Sequence, residues 1–234
     1  MCIAEHIRRV EERIASAANR MGRNPHEISL MAVTKTVSPE RIREAYEAGV
    51  HLFGENRVQE FATKVQVLAD LKGTEWHMIG HLQSNKSRTA MELFQAVDSV
   101  DSLRLFERLN NAAKELGKRV SVLIEINIGG EQAKSGVAPD SPELEQMLAA
   151  GPSCDHLQIQ GLMAVPPYSD DAEHSRPFFR RMRALRDEIA ARKLPAVQMG
   201  TLSIGMSHDF EVAVEEGSTC VRVGSAIFGS RPKP

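Results

Sequence analysis

The chain has 234 residues, 42% of them hydrophobic, which is enough to bury one large α/β core or two small ones. Its 29 basic and 31 acidic residues nearly cancel, so no global field draws nucleic acid or an anionic membrane. Cys2, Cys154 and Cys220 lie far apart with no CxxC spacing, which disfavours a disulfide framework or thiolate zinc site and fits a reducing compartment.

Charges run all through the first 21 residues, while Ile3, Ile7, Val10, Ile14, Ala17 and Met21 recur on one helix face. This pattern predicts an amphipathic helix of a cytoplasmic protein, with no signal peptide or membrane span. Short apolar runs then alternate with amphipathic segments. Strands are predicted at 29–35, 51–56, 75–80, 96–100, 120–127, 158–165, 201–205 and 219–224. Helices are predicted at 39–48, 57–71, 86–94, 102–116, 142–150, 172–193 and 208–216.

Local signals agree with these boundaries. Ser38-Pro39 and Ser141-Pro142 read as helix starts, with serine at the N-cap and proline at the first helical position. Gly49, Gly117, Gly151 and Gly217 follow four helices, where glycine takes a left-handed C-cap most easily. The cluster Arg180, Arg181, Arg183 and Arg186 has acidic neighbours in an amphipathic segment and reads as a solvated face.

Strands separated by helices form a parallel sheet through right-handed crossovers. Eight of them, in a chain near the ~250 residues typical of the fold, predict a single (β/α)8 TIM barrel. The stretch 225–234 is too short for an eighth outer helix, so the N-terminal helix is expected to cover that gap. No linker or composition shift divides the chain, and residues 1–234 are expected to form one domain.

In such a barrel, chemistry is carried by the C-terminal ends of the strands and the loops after them. The first strand run delivers Lys35 there; taken alone, that segment reads most simply as a strand ending in a solvated lysine. The loops after the seventh and eighth strands carry Ser203, Gly205, Ser207, Gly224 and Ser225, small residues at the positions where barrels often bind phosphate. Each loop alone is explained by tight turns; together they point to an anion site. His77 and His81 would stand ~13 Å apart along a strand, too far to share a metal, and none is predicted. Gly129-Gly130 lacks the lysine and hydroxyl of a P-loop, and no catalytic Ser/His/Asp set is evident.

A lysine facing an anion cup matches pyridoxal 5'-phosphate, whose aldehyde forms an imine with lysine and whose phosphate suits the cup. Arg222 is placed for the ring nitrogen. Because arginine keeps its protons, it would leave the pyridine unprotonated and the cofactor a weak electron sink.

The segments Ala32-Val33-Thr34-Lys35, Phe53-Gly54-Glu55-Asn56-Arg57-Val58-Gln59-Glu60, Trp76 through Lys86, Gly161-Leu162-Met163, and the run from Leu202 to Gly229 closely resemble the pyridoxal phosphate homeostasis protein family. The resemblance spans nearly the whole chain. It implies a barrel similar to the N-terminal domain of alanine racemases, with the cofactor held as an imine on Lys35. It also implies phosphate contacts from Ser203 or Ser207 and from Gly224-Ser225, Arg222 at the ring nitrogen, and Asn56 and His77 near the ring. Racemases add a second domain that supplies a tyrosine base; no such domain is found here, and Tyr46 and Tyr168 lie in a helix and in a loop. A cytoplasmic, monomeric protein of intracellular vitamin B6 homeostasis and supply is therefore expected, with no catalytic residue assigned and apo-enzymes as possible recipients. The alternative is a one-domain pyridoxal phosphate-dependent amino-acid racemase.

Overall fold

Each apolar run is long enough to lie buried as a central parallel strand, and each amphipathic segment has one stripe that must be covered. In the computed structural model, which describes residues 2–131 and 135–229, the two are matched eightfold. The strands are β1 (Ser29–Val33), β2 (Leu52–Glu55), β3 (Glu75–Met78), β4 (Ala96–Val100), β5 (Val120–Ile126), β6 (Leu157–Ala164), β7 (Val197–Met206) and β8 (Cys220–Val223). They form a closed barrel in chain order, sealed by parallel pairing of β1 with β8 from Ser29↔Cys220 to Ala32↔Val223.

Around it lie α1 (Ile3–Arg20), α2 (Pro39–Glu47), α3 (Val58–Lys64), α4 (Ser87–Leu93), α5 (Leu103–Glu115), α6 (Pro142–Ala150), α7 (Arg176–Ala191), α8 (Phe210–Glu215) and α9 (Ser225–Phe228). Successive strand residues point to opposite faces. Ala32, Phe53, Trp76 and Val97 therefore join the main core beneath the helices, and Phe61 stacks tilted on Trp76 at 4.6 Å. Met31, Ala96, Leu123, Met163 and Cys220 are buried but stand outside that cluster, facing the barrel interior.

Helix α1 covers the seam between the last strand and the first, as its apolar stripe predicts. Its stripe from Ile3 to Ala18 is buried, Arg13 and Arg20 pair with Glu211 and Glu215 of α8, and His6 Nδ1 meets the Ile227 carbonyl at 2.8 Å. Four residues form α9 directly behind Gly224, a single turn too short to show periodicity.

Other departures have local causes. The helix expected over 57–71 ends at Lys64, since β-branched Val65 and Val67 favour it poorly, and turns bury Leu68 and Leu71 instead. The 172–193 segment divides into a 3-10 turn, Ala172–Ser175, and α7, whose first turn holds Pro177. Gly49, Gly117 and Gly217 have positive φ, but Gly151, at φ −47°, continues α6 into a 3-10 turn. Ser141 caps α6 by accepting the Leu144 N–H, whereas Ser38 makes no cap bond and Pro39 alone marks the start of α2. No helix of the described residues is long and apolar enough to cross a membrane.

Candidate cofactor site

Lys35 stands two residues beyond β1, in a turn rather than on the strand. The turn is closed by the Val37 N–H on the Thr34 carbonyl at 3.0 Å, and Thr36 takes φ +61°. Negative φ at Lys35 followed by positive φ at Thr36 is the pattern of a type II turn, which normally places glycine or asparagine where Thr36 sits. The turn projects from the C-terminal rim of the barrel into a cavity of about 490 Å³.

Asn56, Arg222, Ser207, Gly224 and Ser225 line the same cavity. Arg222 is only 4% exposed and lies in the barrel wall, where Nη1 donates to the Ser203 carbonyl at 2.6 Å and to Ser203 Oγ at 2.7 Å. Its Nη2 donates to the Ala164 carbonyl at 2.9 Å. These bonds hold the guanidinium plane across β6, β7 and β8, at the wall of the cavity. Ser207 Oγ accepts the Gly224 and Ala226 N–H groups, both at 3.2 Å, so hydroxyl and amides converge at the cavity end where an anion was expected. The loop carrying Ser207 is set by buried Asp209, which accepts the Met206 N–H at 2.7 Å and the Ser175 hydroxyl at 2.9 Å. Gly205 turns the chain at φ +92°, where an added Cβ would lie 2.5 Å from Ala213 Cβ.

Two expected residues are not brought to the cavity. Ser203 is fully buried and engaged by Arg222, so of the two serines Ser207 lines the cavity. His77 lines a separate cavity of about 500 Å³ at the N-terminal end of the barrel, with Glu75, Asp98 and Thr219. The physical reason is depth: His77 precedes the end of β3, and its Nδ1 is turned onto Asp98 at 3.0 Å. Burial alone would lower the His77 pKa, but the Asp98 carboxylate and, less strongly, Glu75 together outweigh it and the pKa is raised. His81 reaches the opposite rim, where its Nδ1 meets Asp101 at 2.8 Å, and the described residues hold no group of metal-ligating side chains.

Some neighbours were not anticipated. Tyr168 lines the mouth of the cavity, 80% exposed, with its hydroxyl donated to Asp170 at 3.0 Å, which raises its pKa. Beneath the Lys35 turn, buried Lys64 donates to the Thr34 carbonyl and Glu55 Oε1, both at 3.0 Å, and to Glu60 Oε1 at 2.6 Å. The four-residue spacing of Glu60 and Lys64 was the one visible signal of this group. In the barrel interior Glu125 has its pKa raised to about 7, chiefly by burial and further by Asp101, against the pull of Arg222 and His81.

Fold and rim together place the chain among the alanine racemase N-terminal barrels, and that family, "Alanine racemase, N-terminal domain", matches residues 6–232. Within this class the chain belongs to the pyridoxal phosphate homeostasis proteins. It is 43% identical over 231 residues to the member from Aquifex aeolicus, covering 99% of both chains. The structure of PipY from Synechococcus elongatus with PLP bound superposes with a TM-score of 0.81 at 38% identity, over 94% of this chain and all of that one. An alanine racemase from Clostridium difficile shares the fold, with a TM-score of 0.74 at 14% identity, over 98% of this chain and 58% of the racemase.

Proposed function

We propose that this protein binds pyridoxal 5'-phosphate and acts in intracellular vitamin B6 homeostasis and supply, with Lys35 as its covalent anchor. The supporting observation is the meeting, in one cavity, of a lysine, a buried arginine and a convergent set of hydroxyl and amide groups. That donor set fits the cofactor. Lys35 would offer an amine to the aldehyde, Ser207 with Gly224 and Ser225 would hold the phosphate, Arg222 would serve the ring nitrogen, and Asn56 would lie beside the ring. Lys35, with its nitrogen neutral, would hold the aldehyde carbon, both nitrogen hydrogens leaving with the aldehyde oxygen as water, and water would reverse the bond and free the cofactor. When bound, the cofactor supplies an electron-withdrawing ring. Arg222 would donate a hydrogen bond to that ring without giving up a proton, which would favour holding over carbanion chemistry. The protein is read as a cytoplasmic, single-domain monomer that hands its cofactor to apo-enzymes.

Borohydride treatment of the yellow, loaded protein is expected to fix the cofactor on Lys35, and Lys35→Ala is expected to abolish the label. A label on another residue of the wild-type protein refutes the anchor. Faster transfer of cofactor to an apo-enzyme than release into solution supports the supply role; equal rates refute direct hand-over.

A second reading, a one-domain amino-acid racemase, is favoured by Tyr168 at the cavity mouth. Its hydroxyl donates to Asp170, which raises the phenol pKa and disfavours ionisation to a base. Exchange of the substrate α-proton with solvent that is lost in Tyr168→Phe would favour this reading; no exchange above background removes it.

A further inference from the structure

Lys35 sits on a turn that is held from both sides by one group of charged side chains, Glu55, Lys64 and Glu60. On one side, Thr34 gives its N–H to the Gly54 carbonyl at 2.9 Å and its hydroxyl to Glu55 Oε1 at 2.8 Å, while its carbonyl accepts Lys64 Nζ at 3.0 Å. On the other side, the Thr36 N–H is donated to Glu60 Oε1 at 2.6 Å. The two clamps share a centre, because Lys64 Nζ also bridges Glu55 Oε1 at 3.0 Å and Glu60 Oε1 at 2.6 Å. Every N–H of the ammonium therefore has an acceptor, two of them carboxylates and the third the carbonyl before Lys35.

The position of these charges is costly. Glu55 is fully buried, and its Oε2 finds no hydrogen-bond partner among the described residues. Burial raises the Glu55 pKa, and Lys64 and Thr34 only partly offset it. Burial acts upward on Glu60 too, but Lys64 and the Thr36 amide bring it below its usual range. Packing of the barrel against α3 has no need of an ion triad here, since an apolar set of similar volume commonly serves as well or better. Thr36 adds a second cost, a β-branched residue in the left-handed region. The first cost falls on a group bonded to Thr34 and the second on Thr36, the two residues flanking Lys35, and Glu60 of the triad supplies the bond that opposes the second.

We propose that Glu55, Lys64 and Glu60 form a positioning device that holds the Thr34–Thr36 turn in its strained shape and so aims the Lys35 amine into the cavity. They act through the turn rather than by touching the cofactor, so they are positioning residues. The proposal rests on Lys35 as the anchor. It goes further in assigning the aim of that lysine to an ion triad spread over β2 and α3, in which Glu55 and Lys64 are buried and Glu60 is half-buried. Removing Glu60 leaves the Thr36 N–H unpaired and lets the turn relax toward negative φ, which swings the Lys35 side chain away. A glycine at position 36 has no such preference and would keep the turn in place without the clamp.

The test uses Glu60→Ala, a partly exposed helical site where alanine keeps the protein folded, together with Thr36→Gly and the double variant. Without cofactor, hydrogen exchange at the Thr36 amide in Glu60→Ala is expected to rise about tenfold, the size set by the cost of a left-handed non-glycine residue. Exchange in α5 should stay unchanged. With pyridoxal 5'-phosphate added, the reducible bond to Lys35 is expected to form about tenfold more slowly, with a shifted pH midpoint of its absorbance. The double variant should recover the wild-type rate and midpoint while its residue-36 amide still exchanges fast, a split that loss of stability would not produce. Wild-type rate and midpoint in Glu60→Ala, with the label still on Lys35, overturn the positioning role and leave the anchor standing. A wild-type label elsewhere refutes the anchor, and the exchange measurement then decides the clamp alone. Lys64→Met carries the same expectations with a larger effect; a Lys64→Met protein that folds and binds like the wild type overturns the device.

Discussion

Glu125→Gln tests the electrostatics of the barrel interior in the direction opposite to most core substitutions. Its carboxyl lies inside the barrel with one oxygen unpartnered, Asp101 nearby, and Arg222 and His81 too weakly coupled to offset burial. The folded pKa of about 7 stands above the ordinary value of 4.5, so the folded state holds the proton more tightly than the unfolded chain. The group's stabilising contribution is then fully present below about pH 4.5 and is lost as pH rises through about 7. At about 1.4 kcal/mol per pH unit, ionising Glu125 costs the folded protein at most about 3 kcal/mol at pH 8. Glutamine keeps the shape of the neutral acid and never ionises. Urea unfolding of the cofactor-free protein should therefore show Glu125→Gln more stable than wild type by up to about 3 kcal/mol at pH 8 and nearly equal near pH 4.5. Taking the difference between the two proteins at each pH removes the titration of all other groups. A difference independent of pH, or a variant less stable at pH 8, refutes the reasoning.

Two further outcomes follow from the same geometry. Gly80→Ala would bring a Cβ within 2.4 Å of the Asn56 carbonyl oxygen, which backbone cannot yield cheaply; a loss of roughly 1–3 kcal/mol and weaker cofactor retention are expected, by urea unfolding and equilibrium dialysis. The His77–Asp98 pair should stabilise the fold below the ordinary histidine pKa and lose that contribution as pH rises through the raised one, so Asp98→Asn should cost more stability at pH 6 than at pH 9.

What was readable in the chain is tied to short-range rules. The strand count, the amphipathic stripe of α1 and the serine–proline start of α6 follow from periodicity and capping, which depend on residues a few positions apart. Gly224 and Ser207 were found because small residues after the last two strands of a barrel suit an anion, and Lys35 because it follows the first strand. Depth was not readable. Both faces of a parallel barrel strand are buried, so an apolar run carries no alternation to say that His77 would face the far cavity or that Ser203 would disappear under Arg222.

Local patterns and the handedness of crossovers suffice for the eightfold alternation and for a lysine and two small-residue loops on one rim. What holds that lysine is set by residues distant from it in the chain. Thr36 is left-handed because Glu60 and Lys64, from another helix, compensate a conformation its own side chain disfavours. A residue's preference is written in the chain; the long-range bonds that overrule it exist only once the barrel has closed.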